Sequence, residues 1–141
     1  MITSKRFLFV LMLCLALAAG NLAFAGCPNL KGVWNMSFTS VHYDVDALTF
    51  GNESGTDTIS IANQIGCLFY GTYSGGAAFT GVITGEDVII TGQSDQLSGT
   101  LGNLDPVSGK YKKIVFVGSK WPTPPAAKWI SSMKGKFTRT Y

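Results

Sequence analysis

Apolar and polar residues alternate along most of this chain, and glycine interrupts the alternation at recurring places. The pattern bulky apolar, any, Gly, any, then usually bulky apolar occurs six times. It reads Leu30-Lys31-Gly32-Val33-Trp34, Phe69-Tyr70-Gly71-Thr72-Tyr73, Phe79-Thr80-Gly81-Val82-Ile83, Ile90-Thr91-Gly92-Gln93-Ser94, Leu97-Ser98-Gly99-Thr100-Leu101 and Met133-Lys134-Gly135-Lys136-Phe137. A strand alternates its side chains between two faces, so each Gly shares a face with its apolar neighbours. Glycine on a buried face lets a strand bend and lets another backbone come close. Repeated strand after strand, the pattern predicts a sheet curling into a small barrel.

The same alternation predicts strands at 31–39, 56–62, 67–74, 77–84, 87–94, 97–102, 110–118 and 131–140. Turns are predicted at 63–66, 85–86, 95–96 and 103–109, and Gly75-Gly76 is a two-residue hairpin signal. Short connections pair sequential strands antiparallel. Eight strands suffice for closure, which removes exposed edges. The expected fold class is therefore all-β, a single eight-stranded antiparallel up-and-down β-barrel. Residues 40–55 and 119–130 are expected to be long loops at one mouth. The second carries Trp121, Pro122, Pro124, Pro125 and Trp129. There 125–133 reads either as a short helix or, from Trp129, as the start of the last strand.

Residues 1–25 read as a secretory signal: Lys5 and Arg6, an uncharged apolar run at 7–19, then Ala23-Phe24-Ala25 before the cut. The run is too short to span a membrane. The domain is then 26–141, long enough for one core. Its two cysteines, Cys27 and Cys67, suggest one disulfide in a periplasmic or secreted protein. Both fall at the rim opposite the long loops. However, Phe24-Ala25-Gly26-Cys27 also resembles a bacterial lipobox, in which Cys27 would carry a lipid and anchor the chain to a membrane.

Charge changes the picture little. Residues 26–105 hold one Lys and all eight acids, while 106–141 hold eight Lys/Arg and no acid. The expectation is cross-strand charge complementarity on the outer face; a basic surface for an anionic partner is the alternative. Without an overall basic domain or a recognition motif, no nucleic-acid partner is expected.

Gly32-x-Trp34 on the first strand, with Arg139 near the end of the last, resembles the calycin signature shared by lipocalins, fatty-acid-binding proteins and avidins. The resemblance implies that Trp34 packs at the closed end of the barrel and that Arg139 covers it, with Gly32 part of the same structural motif. Cys27, Leu30, Gly32 and Trp34 also look like the opening of an avidin-type chain. Met36 stands where an avidin places a ligand-binding Asn, so no biotin site is carried over.

Candidate chemistry is sparse. His42 is the one histidine, and Ser40, His42, Asp44 and Asp46 alternate with Val41, Tyr43, Val45 and Ala47. Such a face could hold a metal or an acid–base pair. The expectation is a solvated face instead. No catalytic residues, metal or cofactor are expected, and no inward carboxylate is foreseen on any strand. Tyr43, Phe50, Tyr73, Trp121 and Trp129 are expected at the mouth, where a small apolar or aromatic ligand would bind non-enzymatically. The alternative is a structural or protein-interaction module whose core is filled by Trp34, Met36, Phe38, Phe69, Phe79 and Phe137.

Overall fold

The computed structural model describes residues 26–122 and 129–140. Eight strands run in chain order: β1 (Gly32–Asp44), β2 (Thr49–Ile65), β3 (Leu68–Tyr73), β4 (Ala78–Thr84), β5 (Asp87–Gly92), β6 (Asp95–Leu104), β7 (Tyr111–Lys120) and β8 (Trp129–Arg139). Each pairs antiparallel with the next, and β1 pairs with β8 from Trp34↔Arg139 to Asp44↔Trp129, closing the barrel. The chain is thus an all-β up-and-down barrel. The expected signal segment 1–25, and Pro124 and Pro125 of the expected loop, lie outside the described residues.

The interior is built from period-two positions. Trp34 and Met36 on β1, Ile59 and Ile61 on β2, and Phe116 and Ile114 on β7 are buried in one cluster. Gly71, Gly81, Gly99 and Gly135 of the recurring pattern point into it, and rings lie over several of them. A methyl group on Gly81 would meet the Phe69 ring at 2.1 Å, and one on Gly71 would meet the Phe79 ring at 2.7 Å. On Gly135 it would meet the Phe116 ring at 2.7 Å and the carbonyl oxygen of Ser37 at 2.2 Å. Each ring stands directly across the ladder from its glycine, as in Phe69↔Gly81, Phe79↔Gly71 and Phe116↔Gly135. A ring covering a glycine restores the apolar contact that a missing side chain would forfeit. The space the glycines open inside is therefore occupied by aromatic carbon.

The closed end is locked by a short set of bonds. Arg139 is 7% exposed and lies 5.0 Å from the Trp34 ring centroid. Its guanidinium donates to the carbonyls of Asn29 at 3.2 Å and Tyr111 at 3.3 Å, and to that of Lys31. The Trp34 indole N–H donates to the Leu30 carbonyl at 2.9 Å. The Gln64 amide accepts from the Leu30 N–H and donates to the Pro28 carbonyl, pinning the segment before β1 beneath the barrel. Cys27 and Cys67 form a disulfide at this rim. With its sulfur in that bond, Cys27 has no thiol left for a lipid, so the lipobox alternative does not fit the structure.

Three local expectations are corrected. Residues 40–55 are not a loop: β1 and β2 continue as a ribbon past the core to a turn at 45–48. Glycine and polar residues there suggested a break, yet Gly51 and Gly55 accommodate rings. A methyl on Gly51 would meet His42 Nε2 at 2.3 Å, and one on Gly55 would meet Phe38 at 2.8 Å. The 95–96 turn lies earlier, at 93–94, so Asp95 opens β6. From Trp129 the segment is strand, not helix.

The expected charge complementarity is met where Lys112 pairs with Asp105 at 2.9 Å, but not along the lysines of β8. Lys134 stands opposite Thr39 and Val117, and Lys136 opposite Ser37 and Val115. The physical reason is parity. Asp44, Glu53, Asp57 and Asp95 share the strand faces of Trp34, Ile59 and Leu97, so they turn towards the barrel opening, while Lys113, Lys134 and Lys136 turn outward.

Candidate functional site

Above the filled core the inner wall changes character. Along β1 the inward positions run Trp34, Met36, Phe38, Ser40, His42 and Asp44: apolar below, polar above. β2 repeats this from Ile61 and Ile59 to Asp57 and Glu53. Two adjoining clefts open there, sharing Phe38, Lys120 and Met133 in their walls.

The larger, of 560 Å³, lies over the core and is bounded by Met36, Leu97, Asp57, Tyr73 and Asp95. Tyr73 packs against Phe79, with ring centroids 5.1 Å apart, and its hydroxyl donates to Asp95 at 3.0 Å. Burial, and then the Asp95 charge beside it, push the Tyr73 phenol well above its usual range. Burial also raises the Asp95 carboxyl; the Tyr73 hydroxyl, the Gly92 amide and Lys120 oppose that rise without cancelling it. Asp57 accepts from the Ser74 hydroxyl and from the Thr58 N–H. These carboxylates are thus already engaged by the protein.

The smaller cleft, of 280 Å³, lies in the lip where the β1–β2 ribbon rises beside β8. Its wall is a small grid of cross-strand neighbours. One rung is Glu53, Ser40 and Met133; the next is Gly51, His42, Ser131 and Lys120; the last pairs Asp44 with Trp129. Neighbours on such rungs are within side-chain reach of each other. Ser40 is 5% exposed and Ser131 6% exposed. The Ser131 hydroxyl lies 3.4 Å from the Lys120 carbonyl. Among the described residues no hydrogen bond holds the Ser40 hydroxyl. The Asp44 carboxylate accepts the N–H groups of Asp46 and Ala47, which folds the turn at the ribbon tip.

The aromatic residues expected at the mouth divide. Tyr73 bounds the larger cleft and Trp129 the smaller. Tyr43 and Phe50 pair across the outer side of the ribbon at 4.9 Å and line neither cleft. Trp121 follows β7, lines neither cleft, and is tied through its N–H to the Ser94 carbonyl at 2.9 Å. Ser40, His42 and Asp44 were expected on a solvated face; they face inward because they continue the parity of Trp34. Val41, the supposed packed side, is 49% exposed. The inward carboxylates Asp57 and Asp95 were missed too, although their even spacing from Ile59 and Leu97 gave the signal. Among the described residues no group of three metal-ligating side chains converges.

No protein-family profile matches the chain, and no curated protein matches it. The site is therefore read from its own geometry.

Proposed function

We propose that this protein is an exported, calycin-like barrel that binds a small ligand at its open end without chemical conversion. The observation that carries this reading is the pair of adjoining clefts above a filled core. Their shared floor is apolar, from Phe38 and Met133, and polar groups stand around it. Small-molecule sites have this composition and favour barrel mouths. The raised Tyr73 phenol keeps its proton at neutral pH, which suits a hydrogen-bond donor rather than a base. Export is supported by the basic start and apolar run of residues 1–25 together with the disulfide, which suits an oxidising compartment.

The test is methyl NMR of the disulfide-bonded protein titrated with 1-naphthol, a neutral aromatic probe. The methyl signals of Met36 and Met133 are expected to shift while that of Ile114, deep in the core, stays still. Unchanged Met36 and Met133 signals at saturating probe would sink the reading.

A second reading, docking through the outer wall, is favoured by one observation. Lys113, Lys134 and Lys136 share an outward face with Val115 and Val117, around a shallow apolar groove of 490 Å³. Binding there would leave the mouth methyls unmoved.

A further inference from the structure

The two clefts differ in what they still need. In the larger, Asp57, Tyr73 and Asp95 satisfy one another or the backbone. In the lip cleft Asp44 and Ser131 have partners, but Ser40 and Glu53 make no hydrogen bond among the described residues. Ser40 is the sharpest case, because its side chain lines the cleft and its hydroxyl, bonded to nothing among the described residues, is left to the cleft's own contents. A hydroxyl so placed can exchange a water for a ligand group that reproduces its hydrogen bond. Glu53, directly across the ladder from Ser40, adds carboxylate oxygens with no bond from the described residues.

The charge pattern of the cleft narrows what could fill it. Glu53 and Asp44 repel an anion, whereas Lys120 on the opposite wall repels a cation. His42 can donate or accept, and it lies flat against Gly51, which keeps the imidazole on the wall instead of across the opening. Acceptors, a cationic donor and two-way groups therefore surround one space. Alcohol hydroxyls answer all of them, since each both donates and accepts. The remaining walls, Trp129, Phe38 and Met133, offer apolar surface to the C–H face of a ring, and the Trp129 indole is a flat platform for it. A volume of 280 Å³ lies at the small end for small-molecule sites, which suits one or two sugar rings.

We infer that the lip cleft is a saccharide site: a neutral sugar ring stacks on Trp129 and places its hydroxyls on Ser40, Glu53 and His42. This rests on the reading of the mouth as a ligand site and names the ligand class. Nothing in it requires a bond to be made or broken.

The experiment titrates the disulfide-bonded protein with the methyl glycosides of glucose, galactose, mannose and N-acetylglucosamine, and with cellobiose and maltose. Phenethylammonium and 1-naphthol serve as the cationic and apolar probes. Binding is followed by tryptophan fluorescence and by saturation-transfer NMR. At least one saccharide is expected to bind with a dissociation constant of about 1 mM or tighter. Trp129→Ala is expected to abolish that binding, and Ser40→Val to weaken it roughly tenfold, the loss of one buried hydrogen bond. Unchanged thermal melts would establish that both variants are folded, and Lys136→Gln on the outer wall is expected to bind as the parent does. If 1-naphthol moves the Met36 and Met133 methyls but no saccharide binds, the inference is overturned and the ligand-site reading stands. If phenethylammonium binds and the saccharides do not, the site takes a cation and the inference is overturned. If nothing binds, both readings fall. Saccharide binding that survives Trp129→Ala and Ser40→Val would place the sugar elsewhere and also overturn it.

Discussion

Replacing Gly71 with Ala probes the packing of the barrel wall most directly. The added methyl carbon would stand 2.0 Å from the carbonyl oxygen of Ser60 and 2.7 Å from the Phe79 ring. Ordinary contact begins near 3.4 Å, so the oxygen must retreat by about 1.4 Å. That oxygen belongs to the backbone of β2, which pairs with β3 through Ile61↔Gly71, so relief requires the two strands to part locally. Overpacking of this kind costs typically 1–3 kcal/mol, and a lost ladder hydrogen bond about 1 more, giving roughly 3 kcal/mol in all. At roughly 4 °C per kcal/mol for a domain of this size, Tm should fall by roughly 12 °C. Gly102→Ala is the control, because a methyl there meets nothing within 4 Å and φ is not positive. It should be neutral or stabilise by up to about 1 kcal/mol through the unfolded chain. Gly81→Ala should fall between them, since its obstacle is the end of the Phe69 ring and not backbone. Thermal melts followed by circular dichroism, with urea titrations to check that m is unchanged, give the ranking. If Gly71→Ala melts with the parent protein, or no lower than Gly102→Ala, the account of glycines making room for opposing rings and strands is wrong.

Other substitutions test other parts of the structure. Arg139→Met removes the donor for the carbonyls of Asn29, Lys31 and Tyr111 and the cation over Trp34; a loss of about 2–4 kcal/mol is expected in urea titrations. Reducing the disulfide, or replacing Cys27 and Cys67 with Ala together, releases a closure of 40 residues and should cost about 4 kcal/mol on the chain-entropy account, visible as a lower urea midpoint. Asp95 titrates above its ordinary value of 3.8 in the fold, so the folded chain holds its proton more tightly than the unfolded chain does. Its contribution to stability therefore falls as pH rises from that ordinary value through the raised one. Asp95→Asn, which can still accept from Tyr73, should raise Tm at about pH 7 and lose its advantage by about pH 3; an equal gain at both would refute the burial argument.

Much of this architecture was legible in the sequence because strand parity is a strong constraint. Trp34, Met36 and Phe38 declare one inner face, and Ile59 and Ile61 another; eight such runs with short connections leave closure as the way to satisfy every edge. The rim shared by Cys27 and Cys67 followed from the same topology. What escaped was the upper third of the wall. Polarity and glycine at 51–55 looked like a loop, since strand recognition leans on apolar residues and the ribbon has no core to face. Asp57 and Asp95 were missed because a charged residue near a turn is ordinarily solvated, and here solvent reaches them from inside the barrel. The placement of Asp44, Glu53, Asp57 and Asp95 inward and of Lys113, Lys134 and Lys136 outward was hidden for the same reason: composition records charge but not facing.

The closed rim gathers both ends of the described chain. Gly26 precedes β1 there, and the N–H of Thr140 bonds to the Val33 carbonyl at 2.9 Å beside it. Anything joined beyond either end, such as a bead, a dye or a fused domain, is therefore attached at the pole remote from the lip. Such a tether orients the molecule with its cup facing away from the support, which makes immobilised binding measurements practical from either terminus.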